Sequence, residues 1–445
     1  MMKQELVEKV RAAGVVGAGG AGFPTHVKLE ADVERVLGNG ASCEPLLTSD
    51  IFLMESQSAD ILTGLSMVMQ STGARRGTLC LKEKHFEAVD ALKKTISKQS
   101  IENIDIFGLT DFYPAGDEMV LVYEVTNRVV PEGGFPLQVG VVVNNVESLL
   151  NIALAVKTDK PVTDRYLTVA GEVQKNLVMK VPIGISVGEV INLAGGATIT
   201  DFKVIIGGPM MGQVVTDLSR SVDKTTSGII VLPADHNIVA GKTDDPERVR
   251  QITRLFCCQC SRCTDLCPRT LLGHSLESHK IMRQLGVGSH LVSEALLTDA
   301  LICSECGICE KFACPMMISP REVNAQIKRE MIGKGVDRSS KKIDYQPSAF
   351  RDVRKVPTKR LMERLQVSRY DRHPEFFAGK IEISKAAIPL KQHIGAPAIA
   401  VVKTGDRVKK GDLIGEIPDG ALGARVHASI SGAVESVGTD VVIRQ

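Results

Sequence analysis

Apolar residues along the chain change period several times, and each change predicts a different kind of element. Leu6, Val7 and Val10 recur at helical spacing and stop at Gly14, which predicts an N-terminal helix over 3–13. From there to about residue 158, short apolar runs at 33–37, 78–81, 101–107 and 139–143 read as buried strands, and 50–70 and 84–98 as amphipathic helices. That alternation predicts an α/β layer. Residues 164–215 turn β-branched, at 166–170 and 203–206, with Gly-Gly pairs at 195–196 and 207–208, and read as a small β-rich α+β module. The polar, turn-rich stretch 216–250 reads as a linker. Helical segments from about 251 to 335 end in a helix opened by Ser319-Pro320-Arg321-Glu322, a capping box with proline at the first position, and closed by Gly333. Residues 336–384 are rich in Lys, Arg and Pro with one helical patch at 361–365; a charged linker is expected, a docking surface for an acidic partner being the alternative. Short strands between turn signals (Gly405-Asp406, Gly411-Asp412, Asp419-Gly420, Ser431-Gly432) predict a compact all-β tail over 385–445.

Composition narrows the classes. The 445 residues are 44% hydrophobic and 24% charged, an ordinary globular balance. At roughly 100–200 residues per domain, three or four domains fit. A net charge of +2 argues against a nucleic-acid-binding protein. The longest apolar run, 139–156, is broken by Asn144, Asn145, Glu147 and Asn151, so no membrane span is expected. The N-terminus carries Lys3, Glu5, Glu8 and Lys9 where a secretory signal would be apolar.

The cysteines change the picture most. Eight of the eleven fall in two runs, Cys257-x2-Cys260-x2-Cys263-x3-Cys267-Pro268 and Cys303-x2-Cys306-x2-Cys309-x4-Cys314-Pro315. This is the bacterial ferredoxin spacing for cubane iron–sulfur clusters, in which the fourth ligand is exchanged between motifs. One cluster is therefore expected on Cys257, Cys260, Cys263 and Cys314, and the other on Cys303, Cys306, Cys309 and Cys267. Paired structural zinc sites are the alternative, but zinc gives no reason for the third CxxC step or the Cys-Pro endings. The second run is one residue longer than the bacterial pattern. Cys258 reads as a spare thiol, Cys43 and Cys80 as buried free thiols, and the whole usage as that of a reducing compartment. No CxxC precedes a histidine, so covalent haem is not indicated.

Gly17-Ala18-Gly19-Gly20-Ala21-Gly22 follows a helix and precedes Phe23-Pro24, the wrong context for a dinucleotide fingerprint. Glycines at this density can still present backbone N–H groups to a phosphate as an anion nest, the alternative being a tight turn with no ligand.

The stretch from Gly17 to Lys28, with Asn39-Gly40-Ala41-Ser42-Cys43-Glu44-Pro45, Tyr113-Pro114-Ala115-Gly116-Asp117-Glu118 and Val143-Asn144-Asn145-Val146-Glu147, resembles the FMN-binding subunit of respiratory complex I and the RnfC proteins of Rnf electron-transfer complexes. Gly207-Gly208-Pro209-Met210 looks like their ligand-binding β-grasp (SLBB-like) domain. The tail, with Pro389-Leu390-Lys391-Gln392-His393-Ile394-Gly395-Ala396-Pro397, resembles the barrel-sandwich fold of lipoyl and biotinyl carriers, but no lysine follows Lys410, so an unmodified module is expected. RnfC proteins carry that module first; here it follows the clusters, an order similar to the cobalamin reductases of propanediol-utilization microcompartments.

The resemblance implies a multidomain α/β and α+β protein: an FMN-binding α/β domain (1–160), a β-grasp module (161–215), a linker (216–250), a helical ferredoxin-like domain with two 4Fe–4S clusters (251–335), a basic linker (336–384) and a barrel-sandwich module (385–445). It implies that Gly17, Gly19 and Gly20 wrap the FMN phosphate with Lys28 adding charge. Asn39, Asn144 and Asn145 would hydrogen-bond the flavin or its phosphate, and Gly116, Asp117 and Glu118 would form a second flavin loop. Glu44 would stand at the ring face where nicotinamide stacks. The chain departs from the complex I pattern at Ala41 and Ser42, where acids are usual, and at Glu132, upstream of Phe135-Pro136, where a nucleotide-holding lysine is usual. The implied activity is an NADH-dependent oxidoreductase relaying electrons through FMN and two clusters to cobalamin. Its implied partners are a corrinoid-handling adenosyltransferase and a shell protein, in a cytoplasmic microcompartment. An RnfC-like electron carrier with another acceptor, or a scaffold with structural clusters, are the competing readings.

Overall fold

The structure is a computed structural model that describes residues 2–243, 246–287, 294–336, 344–373 and 375–445. The N-terminal half is built on four parallel strands, β1 (Arg35–Gly40), β2 (Arg76–Lys82), β3 (Ile104–Leu109) and β5 (Val141–Asn145), in the order β3-β2-β1-β5. A short strand, β4 (Phe112–Tyr113), lies between β3 and β5 in the chain. The strands are buried on both faces, as a parallel sheet requires, so alternate residues enter different cores. Val36, Leu79, Leu81 and Val142 meet the helices Ser58–Thr72 and Val146–Thr158. Leu37, Cys80, Val141 and Val143 meet the helix Glu118–Thr126 and, across the domain boundary, Leu272.

The N-terminal helix, Lys3–Ala12, lies where the pattern places it. The expected helix over 50–70 is two, Ser49–Ser56 and Ser58–Thr72, broken at Gln57. Ser56 Oγ bonds back to the Phe52 carbonyl at 2.8 Å, the side-chain competition that bends helices. Gly64 lets the second helix press on the backbone of Val146–Thr158, since a Cβ there would lie 2.0 Å from the Leu149 oxygen.

The β-rich module is a six-stranded sheet of β6 (Asp164–Gly171), β7 (Leu177–Pro182), β8 (Phe202–Ile206), β9 (Gln213–Val215), β10 (Gly228–Pro233) and β12 (Glu375–Phe376), in the order β12-β7-β6-β10-β8-β9. This corrects the two expected linkers. Residues 216–250 supply β10, an apolar run at the middle of the sheet, and the helices Asn237–Thr243 and Pro246–Phe256. Of 336–384, residues 337–343 and 374 lie outside the described residues; the rest is a strap. Its β11 (Val356–Pro357) pairs with β4, its helix Thr358–Leu365 buries Leu361, Met362 and Leu365, and β12 extends the sheet at β7. Phe376 stacks on Phe52 at 4.4 Å between ring centres. Charged residues dominate the strap's composition, but the few apolar ones sit on one helix face and pack.

The tail forms two facing sheets from β13 (Lys385–Pro389), β14 (Ile399–Ala400), β15 (Arg407–Val408), β16 (Leu413–Glu416), β17 (Val426–His427), β18 (Gly432–Val437) and β19 (Asp440–Arg444), ordered β13-β19-β18-β15 and β14-β16-β17. Lys410 is ion-paired with Asp164 of β6 at 2.6 Å. Among the described residues no helix is long and apolar enough to cross a membrane.

Candidate flavin crevice and cysteine cavities

In the parallel sheet the strand order reverses at β1/β5, and ligands of such sheets bind outside the carboxyl ends of the strands at that point. Asn39 and Asn145 are in register there, with Gly38 opposite Asn144. The glycine-rich loop closes over the same end. Gly17 N bonds Phe23 O and Gly22 N bonds Gly17 O, which pinches the loop. Ala18 N donates to Ser148 Oγ at 2.9 Å. Among the described residues, the amides of Gly19 and Gly20 have no protein acceptor, and Gly20, at φ +103°, has nothing within 4 Å of where a Cβ would stand. The buried Asn144 Nδ2 also lacks a partner. Free backbone donors, an unpaired amide and open space above a glycine fit the phosphate and polar edge of FMN.

The other expected flavin residues build the walls. Asn39 Nδ2 bonds Gly116 O at 2.9 Å and its Oδ1 accepts from Ala41 N, tying two loops together. Gly116 is packed so tightly that a Cβ would lie 3.1 Å from Cys43 Sγ. Asn145 caps the helix Val146–Thr158 through Glu147 N and donates to Asp50 at 2.8 Å. Lys28 Nζ bonds Val143 O at 2.8 Å and Glu118 at 3.2 Å, so its charge is already partly answered. Asp117 caps the helix Glu118–Thr126 and takes a bidentate pair from Arg269, at 2.6 and 2.9 Å.

Two further residues are held by neighbouring modules. Glu44 meets the β-grasp module. Its carboxylate accepts from the Met210 and Met211 amides at 3.0 Å each and from Tyr113 Oη at 3.3 Å, with Gly208 against it, and burial pushes its pKa up. Position 208 must be glycine-like because a Cβ would overlap that carboxylate. Glu132, expected at the nucleotide site, is 5% exposed and accepts from Ser275 N at 2.6 Å and Ser275 Oγ at 2.9 Å, inside the contact with the cysteine domain.

The eight spaced cysteines line two cavities. Cys257, Cys260, Cys263 and Cys314 share one with His279 and Met316; Cys267, Cys303, Cys306 and Cys309 share the other with Arg321 and Asn324. Cys314 thus stands with the first run and Cys267 with the second. Among the described residues no three Cys, His, Asp or Glu converge as a single ion needs, so the sulfurs surround volumes rather than points. Burial pushes Cys263 up to about 12 and Cys303 up to about 11, the direction that disfavours a thiolate without a cation beside it. The cavities differ in access: all four thiols of the second are buried, whereas Cys260 and its neighbour Cys258 are exposed. The longer spacing before Cys314 is absorbed by a π-turn, Cys309–Ala313, whose Cys314 N bonds Cys309 O.

The second cavity abuts the flavin loops. Tyr113 Oη donates to Cys306 O at 2.7 Å, and Arg269, two residues past Cys267, holds Asp117. Arg269 and Tyr113 carry these contacts, Ser148 holds Ala18 N, and Arg165 of β6 bonds Ala18 O and Glu147; local patterning assigned none of them a role. The visible signal for Arg165 was a charged residue directly before the β-branched run, within what became β6.

Comparison with known proteins agrees with this division. The FMN-binding domain of Nuo51 matches residues 10–154, the SLBB domain 166–214, the 4Fe–4S dicluster domain 256–319, and the RnfC barrel-sandwich hybrid domain 380–445. A component of the Na(+)-translocating ferredoxin:NAD(+) oxidoreductase complex of Acetobacterium woodii is 38% identical over 275 residues, 60% of this chain and 58% of that one. Two proteins match from end to end. Cobalamin reductase PduS of Salmonella typhimurium is 44% identical over 98% of this chain and 96% of its own, and that of Citrobacter freundii 43% identical over 98% and 95%. The chain belongs to the family of the PduS cobalamin reductases.

Proposed function

We propose that the chain carries electrons from NADH, through FMN and two 4Fe–4S clusters, to the cobalt of cobalamin. The observation that carries the reading is the end-to-end similarity to cobalamin reductases, joined to a flavin crevice and cysteine cavities in direct contact. Bound FMN would take a hydride as two electrons and release them singly, which one-electron clusters require. The free amides of Gly19 and Gly20 and the Asn144 amide hold its phosphate and polar edge, and Asn39 fixes the loop containing Gly116. Cys267, Cys303, Cys306 and Cys309 hold the nearer cluster, with Tyr113 and Asp117–Arg269 keeping their loop against the flavin. Cys257, Cys260, Cys263 and Cys314 hold the outer one, where Leu255, Phe256, Met316 and Met317 are exposed around the rim. The acceptor is reached there, either cobalamin or an adenosyltransferase holding it, inside a microcompartment whose shell protein is a further partner.

Anaerobic stopped-flow mixing with NADH tests the order. Flavin bleaching should precede loss of the brown cluster absorbance, and cobalamin added last should be reduced. Clusters that bleach while the flavin stays oxidised would overturn the reading.

A further inference from the structure

Arg165 lies in β6 of the β-grasp module, yet its guanidinium reaches the flavin domain. It is 3% exposed and spends its donors on three elements. Nη2 donates to Ala18 O at 2.7 Å, Nε to Thr226 O at 2.7 Å, and Nη1 to Glu147 Oε2 at 2.5 Å. Glu147, 1% exposed, uses its second oxygen on Tyr166 N at 3.1 Å, so every nitrogen of the guanidinium and both oxygens of the carboxylate have a partner. Glu147 N in turn bonds Asn145 Oδ1 in the β1/β5 crevice.

The consequence lies in the orientation of one peptide. The Ala18 carbonyl is drawn inward by Arg165, while Ala18 N is held by Ser148 Oγ. With that carbonyl turned to the interior, the N–H of the same trans peptide, that of Gly19, points the other way and has no acceptor, and the Gly20 N–H that follows it is likewise unpaired among the described residues. Release the carbonyl, and a glycine-rich loop is free to rotate its peptides and close the nest.

We infer that Arg165 is a positioning residue for the flavin phosphate: a clamp, supplied by the β-grasp module, that sets the glycine loop in its anion-binding form. The inference rests on the FMN reading of the crevice and adds a residue and a domain to it. It assigns the β-grasp module a part in cofactor retention through its hold on the Ala18 carbonyl.

The test is flavin affinity, read by fluorescence quenching on the full chain carrying its clusters and stripped of flavin. FMN and riboflavin are compared, because riboflavin lacks the phosphate. Arg165→Met should weaken FMN roughly 10–100-fold, the loss expected for a charged hydrogen bond that sets the site, and leave riboflavin almost unchanged. Since that variant strands Glu147 as a buried unpaired charge, Arg165→Met/Glu147→Gln is the companion that relieves it. The double variant should regain thermal stability and iron content yet still fail to prefer FMN. A stable double variant with wild-type preference for FMN would overturn the clamp alone. A wild-type chain that binds riboflavin as tightly as FMN would overturn the phosphate reading of the loop, and the clamp with it.

Discussion

At the scale of single residues, chemistry followed the partner rather than the residue type. Asn144 and Asn145 are adjacent, yet Asn145 is engaged by a helix cap and by Asp50, whereas the Asn144 amide nitrogen has no partner. Glu44 holds a loop of the β-grasp module, and Glu132 holds Ser275. The charge reversal Glu132→Lys therefore should not improve NADH binding. It removes two hydrogen bonds and places an ammonium in a buried contact, so a loss of about 3–5 kcal/mol is expected. Denaturant unfolding should report that loss, with KM for NADH unchanged in the fraction that remains folded. A lowered KM with unaltered stability would return Glu132 to the nucleotide site.

At the scale of elements, the two cysteine runs solve one problem with different turns. The first spaces Cys263 from Cys267 by three residues and uses the short α-helix Arg262–Asp265, with Cys267 N bonded to Thr264 O. The second has one residue more and takes it up as a π-turn, a device often found at functional sites. Removing Ala313, a buried small side chain, restores the shorter spacing and should turn Cys314 by roughly 100° away from the first cavity. Iron should fall from about eight to about four per chain, with the second cluster retained. A full iron complement would show that the turn is not needed to place Cys314. A related expectation was not met. Ser319 makes no side-chain cap, and Glu322 pairs with Arg329 at 2.9 Å, so proline at the first helical position marks that start alone.

At the scale of the molecule, distant segments meet at the glycine loop. Lys224, 2% exposed, donates from Nζ to Gly14 O at 2.7 Å and Arg425 O at 2.6 Å, and its backbone N bonds Gln392. It thereby joins the N-terminal helix, the β-grasp module and the barrel-sandwich tail. Burial pushes its pKa down to about 7. The unfolded chain then binds more protons than the folded one between about pH 7 and 10.4, so stability rises with pH across that window. The stabilisation is complete above the unfolded pKa and is fully lost once pH has fallen through about 7. Thermal melts from pH 6 to 9 should show the wild type gaining a few degrees relative to Lys224→Met as pH rises. Parallel pH profiles for the two would mean that Lys224 does not titrate there.

What the sequence alone determined is what short segments decide by themselves. The cysteine spacing, the glycine loop and the alternation of strands and helices are local, because ligand reach, backbone freedom and side-chain period act over a few residues. Tertiary structure decided the rest. β10 is an apolar run inside a stretch whose composition is that of a linker, and only the open place between β6 and β8 makes it a central strand. The strap's helix is helical in pattern, but what it covers is set by Met210, Ile238 and Ile308, which lie far from it in the chain. Arg165, Glu147 and Ala18 come from three separate segments, and a buried charge acquires its role only from the partners that folding brings to it.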